Sequence, residues 1–151
     1  MERLLSILCL SLVTASPGAS QQAHDTWREP SSHQVRSVTL DENVQLEVLD
    51  WGGNGSALVL LAGYLTAHAY DEFAPKLTEF AHVYGITRRG IGASSHPGPS
   101  GYTAKESGDD IVKVLDKLRL AAPVLAGHSF GGQDLTTVAA NHPAASGESS
   151  T

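Results

Sequence analysis

The sequence is poor in positive charge and in cysteine, and both shortages narrow what the protein can be. It has 10 Lys and Arg residues against 16 Asp and Glu residues, a formal net charge of −6, and no basic run of five or more. Binding to a phosphate backbone needs clustered cations, so a nucleic-acid partner is disfavoured. The single cysteine, Cys9, has no partner for an intramolecular disulfide. A hydrophobic share of 41% still provides for a globular core.

No apolar run is long enough to span a bilayer stably as a helix. The N-terminal run, residues 4–13, follows Arg3 and precedes small residues such as Ala15 and Gly18, whereas a span needs about 20 residues. This layout is typical of a secretory signal peptide. We therefore predict a signal peptide over residues 1–20, cleaved after Ser20, and an exported protein, periplasmic or extracellular. A buried N-terminal helix is the alternative.

Polar segments flank the predicted domain on both sides. Residues 21–33 contain Pro30 and predict a flexible leader, and residues 144–151, “AASGESST”, predict a disordered tail. The domain itself is predicted over residues 34–143.

Strand patterns recur through that domain. “QVRSVTL” and “NVQLEVLDW” alternate apolar and polar residues around a turn-like “DEN”, and the second places Val44, Leu46 and Val48 on one face. “ALVLLAG” is continuously apolar, which favours a strand buried on both faces. “HVYGIT” and “PVLAG” predict two more strands.

Helix patterns lie between these strands. “AYDEFAPKLTEFAH” predicts a helix with Pro75 near its first turn, since four apolar residues recur at spacings of 3, 4 and 3: Tyr70, Phe73, Leu77 and Phe80. “TAKESGDDIVKVLDKLRL” predicts a helix carrying an Asp109–Lys113 pair. “FGGQDLTTVAANH” predicts another, ended by Pro143. The alternation predicts an α/β fold, a mostly parallel sheet with flanking helices.

The segment “PVLAGHSFGGQ” carries the one motif with clear chemistry. Gly127, Ser129 and Gly131 match G-x-S-x-G between an apolar strand and a helix, which is the context of a nucleophile elbow. The tight turn strains the serine backbone and leaves no room for side chains at the two glycines. The N–H of Phe130 lies at the helix N-terminus, where it favours a developing oxyanion.

Motifs for metals, phosphates and dinucleotides are missing. His68, His82 and His96 are separated by 14 residues each and show no ligand pairing, so no metal is predicted. “GGNGS” lacks a following GK[ST], and “GIG” at residues 90–92 lacks the rest of a dinucleotide fingerprint. No cofactor is therefore predicted.

Several segments in order resemble the N-terminal half of α/β-hydrolase-fold serine hydrolases. They are “LVLLAGYLTAHAYDEFAPKL”, “YGITRRGIGASS” and “SGDDIVKVLDKLRLAAPVLAGHSFGGQ”. The resemblance implies that Ser129 is the nucleophile of acyl-bond hydrolysis on a small ester-like substrate. It also implies that Phe130 and Tyr64 donate backbone N–H groups to the oxyanion. The family usually has His before Gly63, where this chain has Ala62.

The resemblance further implies a triad acid and a triad histidine on later loops. After Ser129 the chain offers Asp134, His142 and Glu148. At about 1.5 Å per residue, His142 lies roughly 20 Å from Ser129 along the predicted helix, and Glu148 lies in the polar tail. His68 follows a neighbouring strand, so it is a candidate base as well as an ordinary loop residue. The triad acid and histidine are therefore predicted to be absent.

Two interpretations follow for the chain as a whole. The first is a partial α/β-hydrolase fold that lacks the C-terminal strands, truncated before the acid and histidine, with “PVLAG” left as an apolar edge. The second is a non-catalytic binding or interaction protein that retains half of the fold.

Overall fold

The computed structural model describes residues 31–143. The predicted signal peptide, residues 21–30 of the predicted leader and the predicted tail lie outside the described residues. No helix in the described range has the length and apolarity to cross a membrane. The strands and α-helices follow in the order β1 (Gln34–Asp41), β2 (Val44–Gly52), β3 (Ala57–Leu61), β4 (His82–Ile86), α1 (Ala104–Lys117), β5 (Val124–Gly127) and α2 (Phe130–Asn141).

The five strands form one mixed sheet in the order β1-β2-β4-β3-β5. β2 pairs antiparallel with β1 and with β4, whereas β3 pairs parallel with β4 and with β5. The predicted α/β class and the flanking helices are confirmed. The parallel half of the sheet is the half that leads to the G-x-S-x-G motif.

Both faces of the sheet are covered, which explains the continuous apolar run of β3. One face buries Val48, Val59 and Leu61 against α1 and α2. The other face buries Leu60 with Trp51 and several small or apolar residues of neighbouring segments: Leu49, Ala67, Ala74 and Val83. Alternate residues of β3 therefore contribute to two separate cores.

The helix predicted over “AYDEFAPKLTEFAH” is wrong. The chain instead forms two short 3₁₀ turns, Ala67–Tyr70 and Ala74–Leu77, linked by hydrogen bonds three residues apart. Pro75 has no N–H to donate to the Asp71 carbonyl, and its ring would collide with that carbonyl in an α-helix. Phe73 and Phe80 are 50% and 74% exposed, so only Tyr70 and Leu77 of the predicted apolar stripe pack against the core.

Helix α1 is present as predicted, but its surface ion pair is a different one. Thr103 caps the helix, because its hydroxyl accepts from the Glu106 N–H while the Glu106 carboxylate accepts from the Thr103 N–H. Asp109 pairs with Lys105, at 2.6 Å, rather than with Lys113. The Lys113 Nζ lies 4.0 Å from a carboxylate oxygen of Asp41 on β1.

Strand β5 is an edge of the sheet among the described strands. It pairs only with β3, and Val124 at its start is 59% exposed. The predicted apolar edge is therefore present, and its outer N–H and C=O groups have no strand partner in residues 31–143.

Candidate active site

Ser129 lies in the turn between β5 and α2, with φ 57° and ψ −124°. Residues with a side chain rarely adopt this conformation, which costs about 1–3 kcal/mol. Three backbone hydrogen bonds hold the turn: His128 N–H to Leu61 O at 3.2 Å, Gly131 N–H to His128 O at 2.9 Å, and Gly132 N–H to Ser129 O at 2.9 Å. The turn thus presents an exposed serine side chain at the end of the parallel strands.

The two flanking glycines have no room for a side chain. A Cβ on Gly127 would lie 2.4 Å from the Gly131 carbonyl oxygen. A Cβ on Gly131 would lie 2.1 Å from the Leu61 carbonyl oxygen on β3. Both obstacles are backbone atoms, so neither can rotate away.

Two backbone donors adjoin this turn. Gly63, with φ +64°, approaches the start of α2 so closely that a Cβ there would lie 2.9 Å from Gly131 N and 3.1 Å from Phe130 N. Among the hydrogen bonds of residues 31–143, neither Tyr64 N–H nor Phe130 N–H finds a protein acceptor. The positive end of α2 adds to the field at Phe130 N–H. Developing negative charge near Ser129 would therefore meet unpaired donors.

Aromatic and cationic side chains surround these donors. The Tyr64 and Phe130 rings lie 4.2 Å apart, centroid to centroid, and both side chains are exposed. The Arg88 guanidinium lies 5.2 Å from the Tyr64 ring centroid, within the range of a cation–π contact. The Tyr64 and Phe130 rings form the mouth of the turn, which is therefore apolar, and the positive charge of Arg88 lies beside it.

Asp134 lies on α2, buried beneath this mouth. Burial raises the pKa of its carboxyl, and this rise is opposed by the nearby Ser107 hydroxyl and by the Arg88 guanidinium, whose Nη2 is 3.9 Å from Asp134 Oδ1. The Ser107 Oγ is buried and makes no hydrogen bond of ordinary geometry. Asp134 is enclosed in the core rather than free to orient a histidine.

No hydrogen bond in residues 31–143 joins Ser129 to a histidine. His142 Nε2 lies 2.8 Å from Asp109 Oδ1 on α1, and His82 Nε2 lies 2.8 Å from Asp50 Oδ1 on β2. His128 and His96 are exposed. His142 therefore contacts Asp109 on α1 and makes no hydrogen bond to Ser129.

His68 lies in a separate cluster that the sequence did not predict. Its Nδ1 is 2.9 Å from Asp71 Oδ2, and Asp71 Oδ1 is 3.2 Å from Nδ1 of His33. The three-residue spacing of His68 and Asp71 was a detectable signal, but His33 lies 35 positions earlier in sequence and only the fold brings it here. The prediction of no metal ligands rested on His68, His82 and His96 and did not consider this set.

Comparison with known proteins agrees with the fold. A sequence profile of the alpha/beta hydrolase fold family matches residues 56–145, more than half of the chain. The chain belongs to the alpha/beta hydrolase fold family. Its described strands cover the N-terminal part of that fold.

Two of the relatives are named a lipase and a hydrolase. The sn-1-specific diacylglycerol lipase ABHD11 of Xenopus tropicalis is 30% identical over 118 residues, which is 76% of this chain and 35% of that protein. The 2-(acetamidomethylene)succinate hydrolase of Mesorhizobium japonicum is 28% identical over 92 residues, 60% of this chain and 33% of that protein. A crystal structure of E-2-(acetamidomethylene)succinate hydrolase superimposes with a TM-score of 0.68 at 26% identity, covering 74% of this chain and 41% of that one. The chain spans about a third of the length of the curated relatives it matches.

Proposed function

We propose that Ser129 is the nucleophile of a serine hydrolase that cleaves a carboxylic ester or a related acyl bond of a small molecule. The single observation that carries the proposal is the strained Ser129 backbone between two glycines that admit no side chain. Such backbone strain is typical of a turn that projects a reactive side chain from the end of a sheet. Membership of a family of hydrolases supports the same chemistry.

In the proposed reaction the Ser129 Oγ attacks the carbonyl carbon while a general base removes its proton. The carbonyl oxygen becomes an oxyanion, which accepts hydrogen bonds from the Phe130 and Tyr64 N–H groups. The leaving alcohol or amine departs with a proton from the base, and water then hydrolyses the acyl-serine by the same route.

The base and its orienting acid are proposed to come from outside residues 31–143. Within that range His142 and His82 pair with other carboxylates, and Asp134 is enclosed in the core. The aligned segment is about a third of each relative, so the relatives have room for these groups in the part that has no counterpart here. We therefore propose that the 151-residue chain alone is inactive and that a longer product of the gene is the enzyme.

We also propose that the protein is exported to the periplasm or beyond the cell. The apolar run at residues 4–13 and the small residues after it support a cleaved signal peptide. N-terminal sequencing of the protein recovered outside the cytoplasm tests this, and a chain that still begins at Met1 there would contradict it.

A two-part experiment tests the proposed chemistry. The coding DNA beyond the Pro143 codon is read in all three frames, and the extended chain is assayed on p-nitrophenyl esters and labelled with a fluorophosphonate. We expect turnover and labelling at Ser129, a loss of at least about 10³-fold in Ser129→Ala, and no change in Ser100→Ala, which alters an exposed loop serine.

Two results would count against the proposal. One is the absence, in every frame, of an apolar strand followed later by a loop Asp and His. The other is an extended chain whose Ser129→Ala variant keeps full activity. Rapid turnover by the 151-residue chain would instead refute the claim that it lacks a base. An extended chain that folds but is never labelled favours the non-catalytic binding protein.

A further inference from the structure

His33, His68 and Asp71 bring three potential metal ligands together on the side of the sheet covered by the 3₁₀ turns. Their candidate ligand atoms all lie within 4.8 Å of one another. His33 comes from the segment before β1, whereas His68 and Asp71 come from the first 3₁₀ turn and the position after it. Two imidazoles and a carboxylate thus converge from two distant parts of the chain.

The two carboxylate–imidazole distances are close to those around a tetrahedral ion, and all three ligand atoms lie within 4.8 Å of one another. Zinc bound at about 2.0–2.1 Å to imidazole nitrogen and carboxylate oxygen holds its ligands a little over 3 Å apart. The Asp71 carboxylate oxygens lie 3.2 Å from His33 Nδ1 and 2.9 Å from His68 Nδ1. Binding of an ion would therefore replace the shared protons and draw the His33 and His68 rings closer together.

The three side chains of this cluster differ in their exposure to solvent. The side chains of His33 and Asp71 are 3% exposed, whereas that of His68 is 30% exposed. The His33 ring packs edge-on against Trp51, with 5.6 Å between centroids, which fixes its plane.

Further polar groups hold the ligands in place. The Ser31 hydroxyl donates to Asp71 Oδ1 at 3.0 Å and accepts from Trp51 Nε1 at 3.0 Å. Glu47 Oε1 lies 3.8 Å from His68 Nε2, on the ring nitrogen that does not face Asp71. At 3.8 Å this carboxylate makes no hydrogen bond, but a small approach would let it accept from His68 Nε2–H, as carboxylates do behind many zinc-bound histidines.

We propose that His33, His68 and Asp71 bind a divalent transition-metal ion of the zinc type. The nitrogen-rich donor set disfavours calcium and magnesium, which take oxygen ligands. The ion fastens the segment before β1 to the first 3₁₀ turn and so stabilises the domain. This inference does not depend on the role of Ser129.

Isothermal titration of the purified, metal-free 151-residue chain with Zn²⁺ tests the site. We expect one equivalent to bind, and the midpoint of thermal unfolding to rise by about 10 °C at a hundredfold excess of ion over Kd. His33→Ala and His68→Ala should each weaken binding by at least about 100-fold. His96→Ala is the matched control, because it removes an exposed loop histidine, and it should bind as the wild type does.

A second measurement needs no variant, in case the His33 substitution prevents folding. Imidazole NMR signals of the wild-type chain are followed as Zn²⁺ is added. The signals of His33 and His68 should shift together and stop at one equivalent, while that of His96 stays in place. Absence of binding, binding that survives both alanine substitutions, or unchanged His33 and His68 signals at saturation would overturn the proposal and leave a hydrogen-bonded cluster only.

Discussion

The Cα of Gly131 on α2 faces the carbonyl oxygen of Leu61 on β3 so closely that a Cβ would lie 2.1 Å from it. Gly131→Ala must therefore push α2 away from the sheet, and we expect it to reduce the free energy of unfolding by about 2–3 kcal/mol. Urea denaturation measures the loss.

Gly132→Ala is the matched control for that change. A Cβ on Gly132 meets nothing within 4 Å, and the residue is helical. Alanine there should raise stability by about 0.5–1 kcal/mol. Equal destabilisation by both variants would contradict the steric account.

Ser129 itself should limit the stability of the domain. Ser129→Gly removes the Cβ that makes φ 57°, ψ −124° unfavourable, and we expect a gain of about 1 kcal/mol after the extra entropy of glycine in the unfolded chain is counted. Ser129→Ala keeps the Cβ and should stay within about 0.5 kcal/mol of wild type. Chemical denaturation of the three proteins decides this, and a Ser129→Gly protein less stable than Ser129→Ala would disprove the strain.

The loop after β4 depends on a buried ion pair between Arg89 and Asp110. Both guanidinium contacts, Nε to Oδ2 and Nη2 to Oδ1, measure 2.6 Å, and the Asp110 hydrogen bond raises the pKa of Arg89. Asp110→Asn leaves a buried cation half-paired and should cost about 3 kcal/mol.

Lys105→Met breaks an exposed pair on the same helix, Lys105 with Asp109. It should cost less than about 0.5 kcal/mol. Thermal unfolding of both variants gives the comparison, and similar losses would show that burial does not set the strength of the Arg89 pair.

The buried carboxyl of Asp134 should make the stability of the domain depend on pH. Burial raises the pKa of its carboxyl above 3.8 in the folded chain, so the folded state binds the proton more tightly than the unfolded state does. Stability from this group is then greatest below pH 3.8 and is lost as the pH rises through the folded pKa.

Asp134→Asn replaces this carboxyl with an amide that does not titrate. The free energy of unfolding of this variant, relative to wild type, should increase as the pH is raised from 3.8 through the folded pKa, and then stay constant. Urea denaturation at several pH values measures the difference. A difference that is flat or that falls with pH would be inconsistent with a raised pKa.

The strands and the turn at Ser129 were predictable because their signals are local. β1 and β2 alternate, β3 is continuously apolar, and the G-x-S-x-G motif lies between a strand pattern and a helix pattern. Between β3 and β4 the spacing of the apolar residues predicted a helix, and that prediction was wrong. Pro75 and the sheet surface select 3₁₀ turns instead.

The sequence also did not predict contacts between residues that lie far apart along the chain. Asp109 had lysines four positions away on both sides, and the sequence did not show that His142 would bond to Asp109 or that Asp41 would lie near Lys113. The meeting of His33 with His68 likewise depends on how the segment before β1 lies against the first 3₁₀ turn, and no spacing rule contains that information.

The two unpaired N–H groups belong to turns that follow β3 and β5, with 66 positions between Tyr64 and Phe130. They adjoin only when β5 has paired with β3, the last pairing that the order of synthesis allows among the described strands. The two donors therefore come together only once β3 and β5 have paired, and a ligand that contacts both would report formation of that strand pair rather than collapse of the chain.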